Sequence, residues 1–147
     1  MVAELRALTV RQPWAWAIAC AGKTVENRTR GTRYRGLLAI HASKTVDRVA
    51  LNEPSILDAI MTREFEIDEA AARLGAVVAV AELRGCHGPG DCPGTCSPWA
   101  ARGQHHWNLY DVRRLPEPVP CRGALGLWRL PEDVEHAVMK QLEASHA

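Results

Sequence analysis

Three stretches of this chain predict an α+β fold. Residues 8–29 read as strand, turn, short helix, turn, strand. Residues 75–83, Gly-Ala-Val-Val-Ala-Val-Ala-Glu-Leu, make a strand whose small and β-branched side chains suit a tightly packed barrel wall. From Pro131 the pattern becomes helical, with Glu132 and Asp133 at the positive end and Val134, Ala137, Val138 and Leu142 in one apolar stripe. A length of 147 residues fits one domain, 1–147, that can bury a core.

The opening unit is the most informative. Leu8 to Val10 are extended-type residues, and Pro13 sits where a helix's first turn needs no N–H. Ala15 to Ala21 favour helix, and Gly22 suits the position just past its end. From Lys23 to Thr29 the chain alternates, with Thr24, Glu26 and Arg28 on one side and Val25 and Asn27 on the other. Residues 29–36, with three arginines and two glycines, form an exposed basic loop. Residues 37–42 read as a buried strand ending near His41. Residues 45–74 read as helix with breaks, one at Pro54, and a second helix from Asp68 to Leu74. Residues 85–104 make a long Gly/Pro-rich loop, a type that is usually functional. Residues 104–112 form a strand, Pro116, Pro118 and Pro120 punctuate a turn, and residues 121–130 close the sheet.

Composition is that of a globular protein, 47% hydrophobic and 24% charged. No apolar run approaches the ~20 residues that span a bilayer, which argues against a membrane partner. No signal peptide is evident, so five cysteines point to a cytoplasmic chain with thiols or a metal and not to a disulfide framework. The net charge of +1 is uneven: residues 1–48 hold nine Lys/Arg against three Asp/Glu. That bias points to an anionic partner at one surface.

Three motifs together resemble the ASCH domain family: Thr-Val-Arg-Gln-Pro-Trp-Ala at 9–15, Gly22-Lys23-x-x-Glu26-x-Arg28, and Gly36 through His41 to Ser43-Lys44. The resemblance implies a PUA-like fold, a small β-barrel with flanking helices, and binding of RNA or a modified nucleoside or nucleotide. Some relatives are hydrolases similar to an N4-acetylcytidine amidohydrolase, which carry a Lys with a Thr three residues later; here those positions are Lys23 and Glu26. Their distal catalytic Glu has one candidate counterpart, Glu82.

The residues themselves support three functions. The first is binding of RNA or a modified nucleotide in a basic cleft built by Arg11, Gln12, Lys23, Glu26, Arg28, His41, Ser43 and Lys44, with Trp107 stacking a base. The second is a small hydrolase or ribonuclease, in which Lys23 and Glu26 would be catalytic. The third is a protein-interaction module. Trp14, Trp16 and Trp128 lie in periodic segments and read as core. No cofactor is required. Cys86, Cys92, Cys96 and His105 offer ligands of the types a structural zinc takes, which would order the long loop.

Overall fold

The computed structural model describes residues 4–62, 70–91 and 96–144. In chain order these form β1 (Leu5–Gln12), α1 (Trp14–Cys20), β2 (Val25–Arg28), β3 (Gly36–Val46), a 3-10 turn (Ala50–Asn52) and α2 (Pro54–Thr62). β4 (Ala76–His87), β5 (His105–Pro120), β6 (Leu127–Trp128) and α3 (Glu132–Ala144) follow. The six strands make one sheet in the order β2-β5-β4-β3-β1-β6. All neighbours are antiparallel except β1 and β3, whose parallel pairing requires the crossover that α1 and β2 supply.

The central strands are buried on both faces, which is why β3 and β4 read as continuous apolar runs. Leu8, Val10, Leu38, Ile40, Val78 and Leu83 pack on one face with Ala15 and Ile18 of α1. Leu5, Ala7, Ala39, Val77 and Val80 pack on the other with Val134, Val138 and Leu142 of α3, as the apolar stripe predicts. The small helix α1 is covered on its far side as well, where Trp16, Ala17 and Cys20 meet Ile56 and Ala59 of α2. Its alanines let the sheet and α2 approach from both sides. Gly22 follows the helix C-cap at φ +73°, the left-handed conformation expected there.

Several expectations are corrected. The mixed α+β content holds, but the sheet is not closed into a barrel: among the described residues no pairing joins β2 to β6. β6 has only two residues, and 121–126 are not extended. The gap is lined instead by Arg28 and residues 29–32 on one side and Leu127 on the other. The three prolines do not make a turn; they lie within β5. The pairing jumps from Val77↔Val119 to Ala79↔Arg114, so Pro116 and Pro118 fall in a bulge where no ladder bond is needed. The helix expected over 68–74 is a turn at 70–72, its earlier residues lying outside the described ones. Among the described residues no helix is long and apolar enough to cross a membrane.

That turn is held by Gln12. Its Nε2 donates to the carbonyls of Ala71 (2.8 Å) and Arg73 (3.2 Å), and its Oε1 accepts the Trp16 backbone N–H at 2.8 Å. Gln12 is buried, and both its amide hydrogens and one lone pair of its oxygen are engaged by the frame. His41 is likewise part of the frame. Its Nε2 lies 2.8 Å from the Cys121 carbonyl, and its Nδ1 3.4 Å from the Thr9 hydroxyl, which accepts the Trp128 indole N–H. This chain ties β6 and its approach to β1 and β3, and it uses a neutral imidazole with the proton on Nε2.

Two outcomes are expected. Gln12→Ala leaves buried backbone groups unpaired and should lower unfolding free energy by about 1–3 kcal/mol in urea titrations. Burial holds the His41 imidazole below its ordinary value, so the unfolded chain takes the proton first. The contribution is complete above the ordinary imidazole pKa of about 6.5 and is lost as pH falls through it. Thermal unfolding should therefore shift downward from neutral pH to about pH 5, and His41→Gln should make that fall shallower.

Candidate functional site

The end of α1 and the start of β2 bring three charged side chains together. After Gly22 the Lys23 backbone N–H returns to the Ala17 carbonyl at 3.1 Å, which turns its side chain inward. Lys23 is 1% exposed, a rare state for lysine that demands partners. Its Nζ donates to the Val25 carbonyl at 2.7 Å and to Glu26 Oε1 at 2.9 Å, and lies 5.4 Å from the centre of the Trp14 ring. The other Glu26 oxygen accepts from Arg28 at 3.4 Å. β2 carries Glu26 and Arg28, two residues apart, to the same cavity.

This cavity has a volume of about 460 Å³. One wall is the end of β1 with Arg11 and Trp14. The Trp14 indole N–H donates to Asp47 at 3.1 Å, and Arg11 lies 3.7 Å from the same carboxylate. The Trp14 hydrogen bond, helped by the Ala50 N–H and the Arg11 charge, holds the Asp47 carboxyl below its usual range. Residues 98–101, fixed by Asn27, form another part of the lining. The Asn27 amide donates to the Trp99 carbonyl and accepts from the Ala101 N–H, at 2.9 and 2.8 Å. Trp99 and Trp14 both line the cavity, and both pack against the cluster of Trp16, Ala17 and Ile56.

Of the residues that sequence reasoning picks out, Arg11, Lys23, Glu26 and Arg28 line this cavity. Gln12 and His41 do not; both serve the frame as described above. Ser43 accepts its own turn's Thr45 N–H, and Lys44 is exposed with its stem against Gly75. Trp107 is 5% exposed and donates its indole N–H to the Arg30 carbonyl, so it is core. Trp14 and Trp99 take the place expected of it. Trp14 reads as core from helical periodicity, but it sits in the first turn of α1 and is only partly buried, lining the cavity. Glu82 pairs with Arg84 and lines a different hollow, away from Lys23.

The electrostatics also differ from expectation. The lining holds Arg11, Lys23 and Arg28 against Glu26, Asp47 and Glu53, so the cavity is charge-balanced. The excess of cations lies elsewhere, on the exposed Arg30, Arg33 and Arg35 of the loop that continues β2.

The residues expected to hold zinc are regrouped as well. Cys86 and His105 lie together under Gly31, where an added Cβ would come 2.9 Å from His105 Nδ1 and 3.5 Å from Cys86 Sγ. Cys92 lies outside the described residues. Cys96 instead meets His87 and His106, and one ligand atom of each falls within 4.8 Å of the others. Sequence order hides this because neighbours on a strand point to opposite faces. His87 pairs with His106 across β4 and β5, whereas Cys86 pairs with Trp107.

A search of curated proteins finds no match. Among solved structures the chain is similar to an ASCH protein from Zymomonas mobilis, at 13% identity and a TM-score of 0.59, covering 92% of this chain and 94% of that one. It is also similar to a tyrosine-to-phenylalanine mutant of the Zymomonas mobilis protein, at 13% identity and a TM-score of 0.54, covering 92% and 96%. At such identity the likeness speaks for the fold alone. The sequence profile of the ASCH domain matches residues 8–119, most of the chain and every residue of the opening unit from Leu8 onward. The chain belongs to the ASCH domain family.

Proposed function

We propose that the chain binds RNA, or a modified nucleotide, by seating one base in the cavity while the adjoining phosphates run over the Arg30–Arg35 loop. The observation that carries this reading is a charge-balanced cavity lined by Trp14 and Trp99, with a Glu26 carboxylate held still between Lys23 and Arg28. A base is uncharged, offers a π-face to stack, and carries N–H and carbonyl edges that need fixed acceptors and donors. About 460 Å³ lies within the roughly 300–1,000 Å³ of small-ligand pockets. Phosphates prefer guanidinium forks, and Arg30, Arg33 and Arg35 are exposed on the loop that follows β2. Membership of a family generally associated with RNA supports the same reading. Such a role suits the cytoplasm.

A second reading is hydrolysis of a modified nucleoside, of the N4-acetylcytidine type, or cleavage of RNA. It is favoured by Lys23 and Glu26 facing one cavity. It is disfavoured by the Lys23 contacts, all of which are those of an anchored ammonium donor, and by Glu26 standing where hydrolase relatives have Thr.

The test is binding of short single-stranded RNA, followed by intrinsic tryptophan fluorescence at several salt concentrations. Changing Arg30, Arg33 and Arg35 together to Ala should weaken binding and flatten the salt dependence. Trp99→Ala should weaken it about tenfold, in keeping with ~1–3 kcal/mol for a stacked base, and leave the salt slope intact. Unchanged affinity in both variants would refute the proposal. Conversion of a modified nucleoside, abolished by Lys23→Arg, would establish the hydrolase reading instead.

A further inference from the structure

Beyond the cavity, the structure carries a second constellation with chemistry of its own. His87 at the end of β4, His106 at the start of β5 and Cys96 in the connecting loop converge on one point. The Cys96 sulfur lies 3.4 Å from His106 Nδ1. The other His106 nitrogen, Nε2, lies 2.6 Å from the Ala101 carbonyl. A carbonyl can only accept, so Nε2 carries the proton and Nδ1 presents a lone pair towards the thiol. This is the tautomer and the outer hydrogen bond that metal-ligating histidines use. His106 is fully buried, and among the described residues the buried His87 Nδ1 has no hydrogen-bond partner.

We propose that His87, Cys96 and His106 bind one divalent zinc ion, with water as the fourth ligand. Bond lengths of about 2.3 Å to sulfur and about 2.0–2.1 Å to nitrogen give a tetrahedral S···N edge of about 3.5 Å. The observed Cys96–His106 separation of 3.4 Å matches that edge. The ion takes Cys96 as thiolate, and the thiol proton leaves to solvent. Site and cavity are linked by a chain of hydrogen bonds: His106 holds Ala101, Ala101 is held by Asn27, and Asn27 holds Trp99. The ion therefore fixes the loop that forms one wall of the cavity. This assignment does not depend on which ligand the cavity takes.

The experiment is titration of the metal-free full-length chain with Co²⁺, a spectroscopic stand-in for Zn²⁺, followed by displacement with Zn²⁺. One equivalent should give a thiolate-to-cobalt charge-transfer band and intense d–d bands of tetrahedral coordination, both erased by Zn²⁺. His87→Gln and Cys96→Ser should abolish them, while Cys86→Ser and His105→Gln should leave them unchanged. Cys96 is exposed, so C96S removes the thiolate without disturbing packing. Tryptic cleavage after the exposed Arg102 should also speed up when zinc is removed from the parent chain, and should be insensitive to zinc in C96S. Absence of the tetrahedral spectrum, or its loss in C86S and H105Q with retention in H87Q and C96S, would overturn the assignment.

Discussion

A lysine ammonium buried beneath a tryptophan ring is the constraint around which this molecule is arranged. Taking Lys23 and Glu26 out of water costs several kcal/mol per ion, and the attraction between them does little more than offset it. Such a pair is poor evidence for stability, and an apolar pair of similar size would serve a core as well. What the pair does provide is position. Lys23 is fixed by its own backbone at the end of α1, so the Glu26 carboxylate it holds is fixed with it, with one oxygen directed to Lys23 and the other to Arg28. The short helix, its left-handed Gly22 and the first residues of β2 all serve to place that carboxylate.

The division of charge follows from this arrangement. Inside the cavity each cation has a carboxylate nearby: Lys23 and Arg28 share Glu26, and Arg11 faces Asp47. A polyanion gains little there. The three arginines of the following loop lie outside that balance, on the same chain direction as β2. In the proposed binding mode, base recognition and phosphate attraction fall to successive parts of one continuous segment, residues 23–35. The lining at residues 98–101 depends on Asn27, which alternates with Glu26 and Arg28 on β2 and grips the loop carrying Trp99.

Much of the frame was legible in the sequence because it obeys local rules. Gly22, the apolar stripe of α3 and the alanine–valine run of β4 each state their conformation within a few residues. Lys23, Glu26, Arg28 and Arg11 were legible as a cluster because strand and helix periodicity places them together. The remainder depended on distant contacts. Gln12 and His41 looked like ligand groups, but their partners, Ala71, Arg73 and Cys121, are 59 to 80 residues away. Trp99 and Trp107 flank the same loop, and only the pairing of β5 with β4 decides which one is core. The same pairing separates Cys86 and His105 from His87 and His106. Prolines that punctuate a turn by local rules were accommodated by a bulge that local rules do not announce.

The central claim is that the cavity lined by Trp14 and Trp99 receives an uncharged base. The most direct measurement is a titration of the ¹⁵N-labelled chain with free nucleosides, which carry no phosphate, following the indole N–H signals of the five tryptophans. Saturable shifts of the Trp14 and Trp99 signals, insensitive to salt, with Trp16 and Trp107 unmoved, are expected. No shift at Trp14 or Trp99 with any nucleoside, while RNA perturbs only residues 30–35, would contradict the claim and leave the cavity without a role in binding.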